Sequence, residues 1–197
     1  MGGGRRAALV GFLLLGTLLL GISFGIEPGS SWFYPSALAL AATWAVGAYA
    51  CGPVVLGRRN PVRPVLVGAL LAGVFLLGAL VLRELSFLEG QVSSVTAYAD
   101  RGSGPLIVAV TLVTGFAEEL FFRGSVYAAA PRRPVLVSTV VYAVVTVATL
   151  NLALVAAAAV LGLVVGLERR ASGGVLAPAL THVTWSLIML LALPQLF

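Results

Sequence analysis

The sequence predicts an all-α fold, a polytopic transmembrane helical bundle of about seven spans with the N-terminus inside and the C-terminus outside. Three observations predict it. The chain is 60% hydrophobic and only 10% charged, with a mean hydropathy of +1.07. Soluble domains carry about 25% charged residues, so these charges are too few to cover a globule in water, and lipid must solvate most of the surface. Apolar runs near the roughly 20 residues that cross a hydrocarbon core recur along the whole length. The basic residues, all of them arginine apart from one histidine, sit mainly in the short stretches between those runs.

Taken in order, the spans are predicted at Ala7–Ile26, Ser36–Gly57, Pro64–Leu82, Pro105–Ala130, Val135–Leu150, Leu152–Leu167 and Val175–Leu193. The first follows Arg5 and Arg6. It is longer than the apolar part of a cleaved signal and lacks a small-residue cleavage site, so it reads as a retained anchor. The fourth is interrupted only by Glu118, Glu119 and Arg123. The fifth and sixth are short and nearly continuous, and are either a tight helical hairpin or one long broken helix. The stretch from Arg83 to Gly104 is polar, mildly acidic and the longest loop, with Leu85, Phe87 and Leu88 placed to lie on the outer interface.

The arginines set the orientation. With the N-terminus inside, the inner loops hold Arg5, Arg6, Arg58, Arg59, Arg63, Arg132, Arg133, Arg169 and Arg170, and the outer loops only Arg83 and Arg101. Glu27, Glu84, Glu89 and Asp100 also fall outside. This positive-inside bias requires the fifth and sixth segments each to cross.

Several functions are disfavoured. The net charge of +5 is the arginine of membrane topology rather than a nucleic-acid footprint, since no basic stripe is interleaved with aromatics. Cys51 stands alone, so no intrachain disulfide framework or cysteine zinc site is available. No phosphate-binding G-x-x-x-x-G-K-[ST] loop and no H-E-x-x-H helix occurs. Ser138, Ser172 and Ser186 lack a G-x-S-x-G setting. No cofactor is called for, although metal assistance stays open. The partners expected are membrane lipid and a membrane-associated peptide or protein. The absence of lysine and the richness in Ala, Val, Leu, Gly and Arg suggest a bacterial cytoplasmic membrane.

The candidate chemistry lies in the fourth span. A charge at the centre of a span costs about 2.5–3.5 kcal/mol, yet this one holds Glu118, Glu119 and Arg123. Glu119 and Arg123 are four residues apart and pair on one helical face. Glu118 points about 100° away and has no partner at that spacing. A carboxyl left over in this way is suited to act as a general base toward water. His182, the only histidine, and Ser186 share a face of the seventh span. They read as hydrogen-bond donors for an oxyanion, as an acid–base pair, or as a polar contact between helices. At about 1.5 Å per residue from the inner turns, Glu118 lies roughly 20 Å deep, Thr146 roughly 18 Å, His182 roughly 12 Å and Ser186 roughly 18 Å. Straight helices then bring polar groups on three separate spans, Glu118, Thr146 and the His182–Ser186 face, into one layer below the inner surface.

These residues resemble a family. Glu118-Glu119-x-x-x-Arg123, within Gly115–Gly124, looks like the first motif of the CPBP intramembrane proteases, also called the CAAX-protease or Abi family. The stretches Gly162–Leu167 and Gly173–His182 are similar to members as well. The resemblance covers about residues 105–190, which divides the chain into N-terminal helices and an outer loop (1–104) and CPBP-like core helices (105–197). It implies that Glu118 activates water together with the histidine of an F-x-x-x-H motif. It implies that Glu119 and Arg123 hold the site together, and that His182 stands on the oxyanion side. Two positions depart from the pattern. Tyr142-x-x-x-Thr146 stands where F-x-x-x-H is expected, and His182-x-x-x-Ser186 where H-x-x-x-N is expected. The expected function is a glutamate-dependent intramembrane endopeptidase cutting a membrane-associated peptide near the cytoplasmic side. The alternative is a catalytically impaired homologue that binds membrane peptides in immunity or assembly.

Overall fold

A computed structural model describes residues 2–197 except Arg59, Arg83 and Leu85, and gives the backbone alone at Leu82, Ser86 and Leu88. The expectations resting on Arg59, Arg83 and Leu85, and on the Leu88 side chain, lie outside the described residues. Most of the described residues are helical, with no strand among them. The order is α1 (Gly3–Gly25), α2 (Phe33–Cys51), α3 (Val62–Leu82), α4 (Ser86–Arg101) and α5 (Gly104–Glu119). A π-helical stretch (Leu120–Val126) and the single turn α6 (Tyr127–Ala129) then continue the line of α5. The chain ends with α7 (Pro134–Thr146), α8 (Leu152–Ser172) and α9 (Leu176–Ala192).

Five helices are long and apolar enough to cross a membrane: Gly3–Gly25, Val62–Val81, Gly104–Ala129, Leu152–Ser172 and Leu176–Gln195. They correspond to the first, third, fourth, sixth and seventh predicted spans. The second, α2, stops at Cys51 rather than Gly57, because Gly52-Pro53 breaks it. Residues 54–58 run on without helix, turning at Gly57 with φ 78°. The Val175 and Leu176 amides donate to the Val55 and Leu56 carbonyls, and the Arg58 amide donates to the Ser172 carbonyl. The fifth is a short apolar helix, Pro134–Thr149. Of the two readings for 135–167, the hairpin is the one adopted. Leu150 turns the chain at φ 54°, and the Asn151 side chain caps α8 by accepting from the Leu154 amide at 2.9 Å.

The loop expected between 83 and 104 is instead helix α4. Its polar residues dilute the hydropathy signal, but Val92, Val95, Thr96 and Ala99 fall at helical spacing and line the interior. Asn151 fastens this helix by donating to the Gln91 carbonyl at 2.7 Å and to Ser94 Oγ at 3.0 Å, while Gln91 Oε1 accepts from the Leu152 amide at 2.8 Å.

The bundle packs α1 on α2, α3 on α9, α7 on α8, and both α2 and α9 on α5. Lipid is as apolar as leucine, so close fit rather than water exclusion holds such helices together. Gly16 shows the principle: a Cβ there would collide with the ring of Trp44. That ring is 1% exposed and packs at 4.8 Å from Phe121 and 5.0 Å from Phe122, both on the π-helical stretch. The core is thereby built directly around the segment that follows Glu118 and Glu119.

Candidate active site

The fourth span places its ionisable groups where it changes helical type. The α-helix ends at Glu119, and Leu120–Val126 continue with the wider π turn. Such bulges are frequent at functional sites. Glu119, Phe121, Phe122 and Arg123 are all fully buried. Arg123 Nη1 donates to Glu119 Oε1 at 3.1 Å, and Nη2 donates to the Gly162 carbonyl at 3.1 Å. Gly162 lets the guanidinium approach closely, since a Cβ there would lie 3.1 Å from Nη2. The guanidinium also lies over the ring of Tyr142, 4.9 Å from its centroid. Arg169, at the far end of α8, donates from Nε to the Arg123 carbonyl at 2.8 Å.

Glu119 holds the histidine as well. His182 Nδ1 lies 2.8 Å from Glu119 Oε1. A carboxylate paired with arginine only accepts, so Nδ1 carries the proton. The other ring nitrogen, Nε2, lies 4.0 Å from Glu118 Oε2. That spacing is too long for a direct hydrogen bond and suits one bridging water. Gly115 leaves room beside it: a Cβ at 115 would meet His182 Cδ2 at 3.4 Å and Nε2 at 3.5 Å. Glu118 has one hydrogen-bond partner among the described residues, the Tyr142 hydroxyl, which donates to Oε2 at 2.7 Å.

Glu118, Tyr142, His182 and Ser186 line a cavity of about 820 Å³. Apart from Ser23, Thr96, Thr111 and Thr114, its walls are otherwise apolar, supplied by residues such as Leu40, Phe75, Val95, Val110 and Met189. They come from the C-terminal parts of α1, α3, α7 and α9, the N-terminal parts of α2 and α8 and the length of α5, with α4 alongside. The cavity therefore occupies the half of the bundle that carries α4, opposite the arginine-bearing turns. Glu118 lies close to the midpoint of its 104–129 span. With the N-terminus inside, this half is the outer one.

The predicted residues separate into two groups and an outlier. Glu118, His182 and Ser186 share the cavity wall, whereas Glu119 and Arg123 sit behind it. Thr146 does not line the cavity; its hydroxyl donates to the Tyr142 carbonyl at 2.8 Å, four residues back on its own helix. The residue that sequence reasoning missed is Tyr142. Its signal was present, since the F-x-x-x-H comparison already aligned this tyrosine with a phenylalanine. Among the described residues, no group of three His, Cys, Asp or Glu side chains is arranged to hold a metal ion.

The family comparison falls on this part of the chain. Residues 101–188 match the Rce1-like family model, described as type II CAAX prenyl endopeptidase Rce1-like. The match bears out the resemblance to the CAAX-protease family. No curated protein and no solved structure matches the chain. The Rce1-like segment contains every residue placed at the cluster, from Glu118 to Ser186. With its apolar helices, it marks a multi-pass membrane protein.

Proposed function

We propose that the protein is a CAAX-type intramembrane endopeptidase that hydrolyses a peptide bond of a membrane-associated substrate in the α4-side cavity. The observation that carries the reading is the convergence of Glu118 and His182 at 4.0 Å on the wall of that cavity. The Rce1-like match supports it. The apolar lining suits a substrate segment that arrives from lipid.

Water sits between Glu118 Oε2 and His182 Nε2. Glu118 takes one proton as the water oxygen adds to the scissile carbonyl carbon, and the carbonyl π pair moves onto its oxygen. His182, held in the Nδ1–H form by Glu119, accepts the second hydrogen bond of the water at Nε2. In that form Nε2 is not a donor, so the oxyanion-side role suggested for His182 passes to Ser186, which has a hydroxyl to donate on the same wall. Collapse of the tetrahedral intermediate breaks the C–N bond, and the proton on Glu118 goes to the departing amine. The products are an amine and a carboxylic acid, which loses the second water proton to solvent to leave the carboxylate. Glu119 and Arg123 fix the geometry without touching the substrate.

The test is product analysis by mass spectrometry after incubating purified protein with membrane-anchored peptides in ¹⁸O-labelled water. Wild-type protein is expected to release a fragment with a new C-terminus carrying solvent oxygen, and Glu118→Gln to release none. Cleavage by both at equal rates removes Glu118 from the mechanism.

A further inference from the structure

We propose that Tyr142 is the positioning residue of the water-activating group: its hydroxyl fixes Glu118 Oε2 so that the remaining lone pair faces His182 Nε2. This deepens the peptidase reading and rests on it for its chemical meaning, but the contact is a claim in its own right.

Four observations on α7 and its neighbours carry it. The Tyr142 hydroxyl is 2.7 Å from Glu118 Oε2, the same oxygen that faces His182 at 4.0 Å. A carboxylate oxygen has two acceptor directions; with one taken by the phenol, the other is left for water. The ring that carries the hydroxyl is locked. It is 9% exposed, packs 4.9 Å from Phe122 and 6.4 Å from His182, and lies under the Arg123 guanidinium. Glu118 has no other hydrogen-bond donor among the described residues, so without Tyr142 its carboxyl is free to rotate in the cavity. The polar side chain one turn further on, Thr146, is bonded back to its own helix.

The two departures at 142 and 146 therefore read as one exchange. The hydroxyl at 146 is spent on its own helix, and the carboxylate takes its partner from the 142 ring of the same helix. Tyr142 transfers no proton in the cycle. It donates the same hydrogen bond before, during and after water attack, while Glu118 takes and returns the proton.

The experiment compares wild type, Tyr142→Phe and Glu118→Gln as full-length protein in lipid. Phenylalanine keeps the ring and its packing, and circular dichroism with a melting curve checks that the fold is kept. Infrared spectroscopy then locates the carboxyl band of Glu118 as the band lost in Glu118→Gln. The proposal expects that band to move in Tyr142→Phe, and an unmoved band overturns it. In the peptidase assay, kcat of Tyr142→Phe is expected to fall about 10- to 100-fold, the worth of one hydrogen bond to a charged group, with KM within a few-fold. An unchanged kcat overturns the positioning role. A wild type that cleaves nothing, with a band that moves, sinks the peptidase reading and leaves the Tyr142–Glu118 contact standing.

Discussion

Removal of the Arg123 guanidinium isolates the energetic role of the buried pair. Arg123→Met keeps an unbranched apolar stem but leaves Glu119, which is fully buried, without a cation. The Gly162 carbonyl loses its donor as well. Breaking a buried pair from one side costs about 3–5 kcal/mol. At about 2–4 °C per kcal/mol for a chain of this length, the melting midpoint should fall by about 6–20 °C. Cys51 supplies the assay. It is the sole cysteine and is buried, so a thiol-reactive fluorophore in detergent micelles reports its exposure on heating. Removing both charges separates the missing cation from lost packing. In Glu119→Gln/Arg123→Met the amide oxygen still accepts from His182 Nδ1, and no buried charge is stranded. Glu119 Oε2 and Arg123 Nε have no hydrogen-bond partner among the described residues, so the native pair is itself incompletely satisfied. The double variant should therefore recover at least half of the lost stability. A midpoint for Arg123→Met within about 2 °C of wild type, or a double variant no more stable than the single one, would refute the reasoning.

Three further outcomes follow from the same geometry. Gly115→Val should push methyl groups into the space beside His182 Nε2 and lower kcat about 100-fold with little change in melting midpoint; a cleavage rate near wild type would mean that the water lies elsewhere. Asn151→Ala removes both the α8 cap, worth about 0.5–2 kcal/mol, and the two donors to α4. Amide hydrogen exchange across 86–101 should quicken relative to α5, and unchanged protection would show that α4 is held by other contacts. In a Cys51→Ser background, cysteines at Gly4 and Ser93 should react with a membrane-impermeant maleimide from opposite faces of sealed vesicles, on the sequence expectation that α1, α2 and α3 each cross. Labelling from the same face would contradict the up-and-down path of the bundle.

The parts of this fold legible in the sequence are those set by one local signal. Long apolar runs located five of the spans to within a few residues, and the i, i+4 spacing of Glu119 and Arg123 gave their ion pair directly. Helix α4 was hidden because half of its surface is polar and its apolar residues face a cavity rather than lipid. Nothing in residues 120–126 announces a π turn, since it is imposed by the aromatic packing around Trp44, which joins segments far apart in the chain. The Glu119 contact to His182 spans 63 residues and depends on how α5 and α9 cross. Spacing along a single helix carries no record of that crossing. Thr146 was expected in the same layer on depth alone, and depth does not say which way a side chain turns. Its hydroxyl satisfies its own backbone, and the polar contact passes to Tyr142.

The central claim is that Glu118 activates the attacking water, and the ratio of kcat between wild type and Glu118→Gln on one membrane-anchored peptide tests it most directly. The amide is close in size to the carboxyl and cannot take a proton from water, so the fold is kept while the base is lost. General-base assistance is worth about 10²–10⁴-fold. A fall of that size, with KM within a few-fold and an unchanged melting midpoint, is the predicted result. Equal kcat values for the two proteins would contradict the account.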